Sequence, residues 1–175
     1  MDKTHIPKVT IGLPVYNGEL SLSQSIDSVL KQSFTDFELI ISDNASTDST
    51  PEICKNFTQL DNRVVFIRHE KNRGPYWNFN FLLEKARGMY FVWLADDDYW
   101  HPDFLLENVN VLDNHKNIVC SIGKVETFDK LPKNEIKEES VKYPKLAENY
   151  VMNRRDQMIS VTFPVFGSHS KKIRQ

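Results

Sequence analysis

Short apolar segments alternate four times with segments of helical periodicity, and this alternation limits the chain to few folds. Four segments rich in β-branched or aromatic residues predict strands over residues 9–13, 37–42, 63–69 and 89–95. Helices are predicted over residues 22–30, 50–57 and 75–87, and from Pro102 onward. Strands that alternate with helices form a largely parallel sheet in a layered α/β protein. A fifth strand is predicted over residues 118–125.

Local signals predict how the elements end and how the sheet is covered. Pro14 is expected to stop the first strand, and Gly88 to cap the third helix. Thr50 and Pro51 fit the N-cap and first position of the second helix. The segment 89–95 is apolar without alternation, which indicates a strand covered on both faces. We therefore predict a three-layer α/β/α fold with a mostly parallel central sheet.

Polar segments follow three of the predicted strands. They cover residues 14–17, 43–48 and 96–98. In open α/β sheets, ligands bind outside the carboxyl ends of the strands. The three segments are therefore expected to meet at one edge and to form the functional site.

The segment 96–98 is a run of three aspartates that directly follows a buried strand. Adjacent carboxylates raise one another's pKa, and a divalent cation relieves that repulsion. Oxygen ligands without nearby His or Cys suit Mg²⁺ or Mn²⁺, which would stabilise the charge on a departing diphosphate. The triplet alone fits equally a polar turn that caps the helix beginning at Pro102, so both interpretations stay open at this point.

The turn at Asp43 also has two interpretations. Asx and Ser side chains favour turns because they bond to nearby backbone groups. A carboxylate at a strand end can equally accept a hydrogen bond from a nucleobase imide N–H, with the Tyr16 ring available for stacking.

Four ordered motifs together resemble the glycosyltransferases of family 2. They are Pro14-Val15-Tyr16-Asn17, the run 42–48, the pair Arg73-Gly74 with Asn72 before it, and the run 94–102 with its three aspartates. The resemblance covers about residues 8–125. It implies a GT-A (Rossmann-like) fold, an inverting reaction, a nucleoside-diphosphate-sugar donor and Mn²⁺ or Mg²⁺ as cofactor. It also identifies the chain as the donor-binding N-terminal part of such an enzyme.

The resemblance assigns residues to the nucleotide side of the site. Asp43 would bind the base, with Pro14 and Tyr16 beside it and Asn17 completing the first motif. Asn44 stands where many relatives carry a second acidic residue. Because an amide donates as well as accepts hydrogen bonds, this departure is expected to affect the preference for a base.

The resemblance also assigns residues to the phosphates and the metal. Arg73 would bind the nucleotide or its phosphates, although an exposed salt bridge fits it equally. Asp97 would be the direct metal ligand, Asp96 would approach the ribose or a metal-bound water, and Asp98 would complete the metal site. Many relatives have Asp-x-Asp-Asp here, and Ala95 occupies the first of those positions, so the metal would depend on the adjacent carboxylates that remain.

No general base is identified for the acceptor hydroxyl. An inverting transferase needs one, and in relatives it comes from a segment well beyond the acidic motif. Glu148 and Asp156 are weak candidates, and His169 is a candidate for a late metal or acceptor contact. We therefore expect residues 1–128 to form the nucleotide-sugar-binding domain. Residues 129–175 are expected to form a mobile segment and an incomplete acceptor-side region.

The sequence also bears on two other functions. A sugar nucleotidyltransferase would need a glycine-rich, basic loop after the first strand, whereas residues 13–18 hold one glycine and no basic residue. A truncated, catalytically incomplete module that only binds nucleotide sugars stays open, because the general base is missing. The predicted function is sugar transfer to a glycan or lipid-linked acceptor, as in the assembly of surface polysaccharides or glycolipids.

Charge and hydropathy limit the partners and the cellular location that can be expected. The net charge of −2 is unlike that of a nucleic-acid-binding domain, so no nucleic-acid partner is expected. The start of the chain has no signal-peptide pattern, and the longest apolar run, 89–95, is far below the ~20 residues that span a bilayer. We predict a cytoplasmic protein. Lys171, Lys172 and Arg174 leave open a peripheral contact with the inner face of the membrane.

Overall fold

The computed structural model describes residues 5–123 and contains four strands and four helices in strict alternation. The order is β1 (Val9–Val15), α1 (Leu22–Leu30), β2 (Phe37–Asp43), α2 (Thr50–Leu60), β3 (Val64–Arg68), α3 (Pro75–Lys85), β4 (Tyr90–Trp93) and α4 (Phe104–Asn114). The strands lie in the order β3-β2-β1-β4, and every neighbouring pair is parallel. The predicted alternation and the parallel sheet are confirmed.

Helices cover both faces of this sheet. The larger core joins one face of the strands to apolar residues of α1, α2 and α4, including Ile26, Cys54 and Val109. On the opposite face Leu82 of α3 packs against Ile40 and Phe91. The predicted three-layer α/β/α arrangement is therefore present in the described part of the chain.

The prediction that Pro14 stops β1 is wrong, because the strand continues to Val15 with Pro14 opposite Ser42 of β2. β1 pairs with β4 only as far as Gly12 and Trp93, two residues before Pro14. The Gly12 carbonyl faces β4, since it accepts the Leu94 N–H at 2.9 Å. The main-chain nitrogen of Pro14, two residues later, points to the same side of β1, beyond the last residue that pairs with β4. Its missing N–H therefore breaks no ladder bond.

Four other local predictions need correction. The fourth helix begins at Phe104 with Asp103 as its N-cap, not at Pro102. Residues 118–123 form no strand. Ile118 lies in an irregular segment, and its apolar side chain packs against the core. The N-cap of α2 is Ser49, one residue before the predicted Thr50. The third helix ends at Lys85 with Ala86 as its cap, not at Gly88. Gly88 instead passes close to β1, where an added Cβ would lie 2.6 Å from the Thr10 nitrogen.

A buried polar network joins β1, β2 and the connection from α3 to β4. The Thr10 hydroxyl donates to Glu38 Oε1 at 2.7 Å, and Glu38 is only 2% exposed. The guanidinium of Arg87 pairs with the other oxygen of Glu38, and the Gly88 N–H donates to Thr10 Oγ1 at 2.8 Å. The network lies at the early residues of the strands, away from their carboxyl ends. It satisfies a carboxylate that burial would otherwise penalise.

Within residues 5–123, no helix has both the length and the apolar character needed to cross a bilayer.

Candidate functional site

The loops that follow β1 and β2 are joined side by side by hydrogen bonds. The Asn17 N–H donates to Ser46 Oγ at 2.8 Å, and its side-chain carbonyl accepts the Thr47 N–H at 2.8 Å. Next to this pair, the Gly18 N–H donates to Thr50 Oγ1 at 2.9 Å. The two segments that the sequence placed at one edge of the sheet therefore form a single unit. Asn17, predicted to bind the nucleotide sugar, holds that unit together.

Two residues of these loops adopt left-handed backbone conformations although neither is glycine. The φ angles are 57° for Asn17 and 67° for Ala45. Asn tolerates this region well because its short side chain bonds locally, whereas an alanine there is unusual. Backbone strain of this kind persists only where the surroundings fix the conformation, and it is concentrated at functional sites.

Asp43 ends β2 and is completely buried. Its Oδ1 accepts the Ser46 N–H at 2.9 Å, but its Oδ2 is buried without a hydrogen-bond partner in the described structure. Arg68 Nε approaches Oδ2 to 3.4 Å, and the same guanidinium donates to the Ser46 carbonyl at 3.0 Å. An acceptor oxygen with unused capacity thus lies at the carboxyl edge of the sheet, with a cation beside it.

An open cleft of about 400 Å³ lies at this edge, next to Asp43. It is lined by Ala45, Ser46, Thr47, Arg68, His69 and Glu70. Two of these residues, Ser46 and Arg68, contact the Asp43 carboxylate directly. Tyr16 is 47% exposed, which leaves its ring accessible, whereas Pro14 is buried in β1.

Asn44 is buried, and its side chain forms hydrogen bonds with the segment 72–74. Its amide donates to Asn72 Oδ1 at 3.0 Å and to the Gly74 carbonyl at 3.1 Å, while its own oxygen accepts the Arg73 N–H at 2.9 Å. The Arg73 guanidinium lies 4.4 Å over the Trp77 ring, in cation–π geometry. Asn44 and Trp77 therefore fix the backbone and side chain of an exposed arginine.

Ser42, His69 and Asn78 form a polar cluster beside the cleft that the sequence analysis missed. Ser42 Oγ donates to Asn78 Oδ1, which leaves it to accept a hydrogen bond from His69 Nε2 at 2.8 Å. Burial and the charge of Arg73 lower the pKa of His69, against the opposing effect of Asp43. Sequence separations of 27 and 36 residues hid the cluster, and only the position of Ser42 and His69 at strand ends could have suggested it.

The acidic segment 96–98 follows β4 at the same edge of the sheet. The Asp96 carboxylate packs against Gly18, where an added Cβ would lie 2.4 Å from Oδ2. Burial and the neighbouring Asp97 charge raise the pKa of Asp96 and of Asp98. Asp97 is exposed. Among residues 5–123 no three carboxylate, His or Cys side chains are grouped as a complete metal site, so this segment could supply only part of a coordination shell.

The structure thus brings seven of the predicted site residues to the loops at the carboxyl edge of one sheet, with Asp43 at the end of β2 and Pro14 near the end of β1. The roles assigned to the individual side chains stay predictions. Glu148, Asp156 and His169, with the predicted segment 129–175 and the boundary at residue 128, lie outside the described residues.

Comparison with known proteins decides the family. The model of the family described as glycosyl transferase family 2 matches residues 10–170. The chain belongs to this family.

Curated relatives agree with this assignment. The family 2 chain is 40% identical over 134 residues to an uncharacterized glycosyltransferase of Haemophilus influenzae, covering 76% of this chain and 52% of the relative. It is 34% identical over 94 residues to the GalNAc(5)-diNAcBac-PP-undecaprenol beta-1,3-glucosyltransferase of Campylobacter jejuni, covering 53% and 30%. The chain thus spans about half or less of the length of these curated relatives.

Solved structures share the fold. TarS of S. aureus, residues 1–349 in complex with UDP-GlcNAc, superposes with a TM-score of 0.65 at 27% identity. The match covers 75% of this family 2 chain and 38% of the TarS chain. The predicted GT-A fold is confirmed.

Proposed function

We propose that this family 2 chain binds a nucleoside-diphosphate sugar at the carboxyl edge of its sheet and takes part in transferring the sugar, with inversion, to a glycan or lipid-linked acceptor. The observation that carries the proposal is Asp43 Oδ2, a buried acceptor with no hydrogen-bond partner in the described structure, next to an open cleft. Buried polar atoms are nearly always satisfied, so an exception at a cleft marks a place where a ligand donor fits.

The base end of the donor fits around Asp43. A pyrimidine imide N–H can donate to Oδ2, and the carbonyl oxygens of such a base can accept from the Arg68 guanidinium. The exposed ring of Tyr16 offers a stacking surface. Because the similar TarS structure holds UDP-GlcNAc, a uridine donor is the first to test.

The diphosphate end fits between Arg73 and the acidic segment. Arg73 is exposed and held by Trp77, so its charge is available to a phosphate. Burial, followed by the charge of Asp97, raises the pKa of Asp96 and of Asp98, and a divalent ion would favour the charged form of both carboxylates. Hard oxygen donors suit Mn²⁺ or Mg²⁺, with diphosphate oxygens completing the shell. An ion held by Asp97 and Asp98 would neutralise charge on the departing nucleoside diphosphate.

Activation of the acceptor requires a general base that takes the proton of the attacking hydroxyl. Glu148 and Asp156 stay the candidates. The assignment of the acceptor as a glycan or lipid-linked sugar is supported by the lipid-linked substrate in the name of the Campylobacter jejuni relative. A cytoplasmic location, with a peripheral membrane contact through Lys171, Lys172 and Arg174, also stays a prediction.

A thermal-shift panel of UDP-, GDP- and dTDP-sugars, each with and without Mn²⁺, tests the donor site. A ligand at a hundred times its Kd adds ~2.7 kcal/mol of stability, which raises the midpoint by several degrees. Asp43→Asn should lose most of this rise, whereas Asp27→Asn, on the exposed side of α1, should keep it. A flat panel for the wild type would refute donor binding. Binding without transfer to any acceptor would instead favour the module that only binds nucleotide sugars.

A further inference from the structure

Helix α1 and the residue that follows its C-cap carry three buried polar side chains. Ser25 and Ser28 are each 1% exposed, and Gln32, just past the end of the helix, is 4% exposed. Their spacing of three and four residues puts them on one side of the helix, next to the apolar stripe that enters the core. Buried polar side chains are unfavourable unless they form hydrogen bonds, so their partners show what the stripe does.

The long-range partners of these three side chains lie between Asp96 and Leu105. Ser28 Oγ also donates to the Ser25 carbonyl of α1 at 2.8 Å, and Gln32 Nε2 donates to the Ser28 carbonyl at 3.2 Å. The Ser25 hydroxyl donates to the Asp96 carbonyl at 2.8 Å, and Ser28 Oγ accepts the Trp100 N–H at 3.2 Å. Gln32 donates through Nε2 to the His101 carbonyl at 2.7 Å and accepts the Leu105 N–H at 2.9 Å. These four bonds go to main-chain atoms of residues 96–105, at sequence separations of 69 to 73 residues.

These bonds enclose the aspartates. One is made at Asp96 itself, and the others lie beyond Asp98, at Trp100 and His101 before α4 and at Leu105 in its first turn. Hydrogen bonds to the main chain set the course of the backbone and thereby the direction of every carboxylate on it. The Asp96 side chain is restricted from a second direction, because Gly18 leaves just enough room for its carboxylate.

We propose that Ser25, Ser28 and Gln32 are positioning residues that hold the segment 96–98 in the geometry needed for a divalent ion and the donor diphosphate. The inference rests on the proposed function, since it gives these residues a role at that site. The inference goes beyond that function because it gives a positioning role to side chains of α1 that lie outside the four sequence motifs. An apolar face on α1 would pack against the core, but it could not fix the backbone of the segment.

Ser25→Ala tests the proposal, because it removes the bond closest to the carboxylates. We expect the Kd of Mn²⁺, measured with saturating UDP from the EPR signal of free Mn²⁺, to rise about 3–10-fold in the full chain. The Kd of UDP without metal should stay within about twofold of the wild-type value. Ser23→Ala, the same change on the exposed side of α1, should alter neither constant.

Thr10→Ala serves as the control for lost stability, because it removes a buried hydroxyl at the far end of β1. If Thr10→Ala weakens Mn²⁺ binding as much as Ser25→Ala does, the effect comes from a general loss of stability and the proposal is wrong. An unchanged Mn²⁺ Kd in Ser25→Ala also overturns it.

Gly18→Ala is a second test that leaves the α1 bonds intact. The added methyl would lie 2.4 Å from Asp96 Oδ2 and 2.7 Å from Val15 Cγ2, so the Asp96 carboxylate would have to shift and Mn²⁺ affinity should fall as in Ser25→Ala. Unchanged Mn²⁺ affinity would show that the placement of Asp96 is irrelevant to the ion. If the wild-type chain binds neither UDP nor Mn²⁺ with UDP, the proposed function itself fails, which is distinct from a failure limited to the variants.

Discussion

Arg68 Nε lies 3.4 Å from Asp43 Oδ2, a fully buried oxygen without any hydrogen bond in the described structure. The Arg68 side chain is half exposed, so its charge is partly screened by solvent. It nevertheless provides the nearest cation for a carboxylate that has lost its hydration. The pair therefore couples the stability of the loop after β2 to the group that is proposed to bind the base.

Arg68→Gln should lower the free energy of unfolding by about 1–2 kcal/mol. Removing one partner of a buried pair costs ~3–5 kcal/mol, and the exposure of Arg68 reduces that figure. Urea denaturation of the metal-free protein measures the change. Lys71→Gln removes an exposed cation nearby and should have no effect. Equal stability of Arg68→Gln and the wild type would show that Asp43 is satisfied without the arginine.

Asn44→Asp preserves shape but replaces two amide donors by acceptors. The bonds to Asn72 and the Gly74 carbonyl would be lost and a carboxylate would be buried, so stability should fall by about 2–3 kcal/mol. The position of Arg73 would change with its loop, and the UDP Kd should rise about tenfold. Isothermal titration calorimetry and urea denaturation measure the two effects. Asn114→Asp, on an exposed helix position, is the matched control.

Asp98→Asn should stabilise the metal-free protein and abolish its response to Mn²⁺. Burial and Asp97 raise the folded-state pKa of Asp98, so the protonated form is favoured by folding. Its contribution to stability is full below the unfolded pKa and is lost as pH rises through the folded pKa. At pH 7 in EDTA the variant should melt a few degrees higher, about 2–4 °C for ~1 kcal/mol. A lower melting temperature would contradict this prediction.

Gly88→Ala and Gly74→Ala separate stability from binding. An added Cβ at Gly88 would meet backbone atoms of Val9 and Thr10 at 2.8 and 2.6 Å, so unfolding should become easier by about 1–3 kcal/mol with an unchanged UDP Kd. Gly74 has open space but a φ of 84°, so alanine there strains the loop that carries Arg73 and should weaken UDP binding as well. Parallel changes in UDP affinity for both variants would refute the distinction.

The alternation of elements could be predicted because it depends on local periodicity. Apolar runs such as 89–95 and the helical spacing of Leu22 and Ile26 express burial that is decided within each segment. The meeting of Asp43 and Asp96 at one edge followed from parallel topology alone. The position of Pro14 inside β1 could not be predicted in this way. It depends on where β4 ends relative to β1, which is a relationship between two segments.

The supporting contacts of the site were beyond the reach of the sequence for a related reason. Ser25 and Ser28 lie on a helix whose polar positions would ordinarily face solvent, and nothing local distinguishes them from the exposed Ser23. Their burial becomes visible only when the segment after β4 lies across α1. The same holds for Ser42 of β2 and His69, which directly follows the neighbouring strand β3.

The left-handed Ala45, held among hydrogen bonds that join its loop to Asn17 and Gly18, also bears on the kinetics of recognition. We expect the hydrogen bonds around Ala45 to fix this conformation before a ligand arrives, so that binding requires no slow closure of the loop. Association rates among similar ligands then vary little, and differences in affinity are expressed in dissociation. Nucleotides competing for this loop would accordingly differ less in how fast they arrive than in how long they stay.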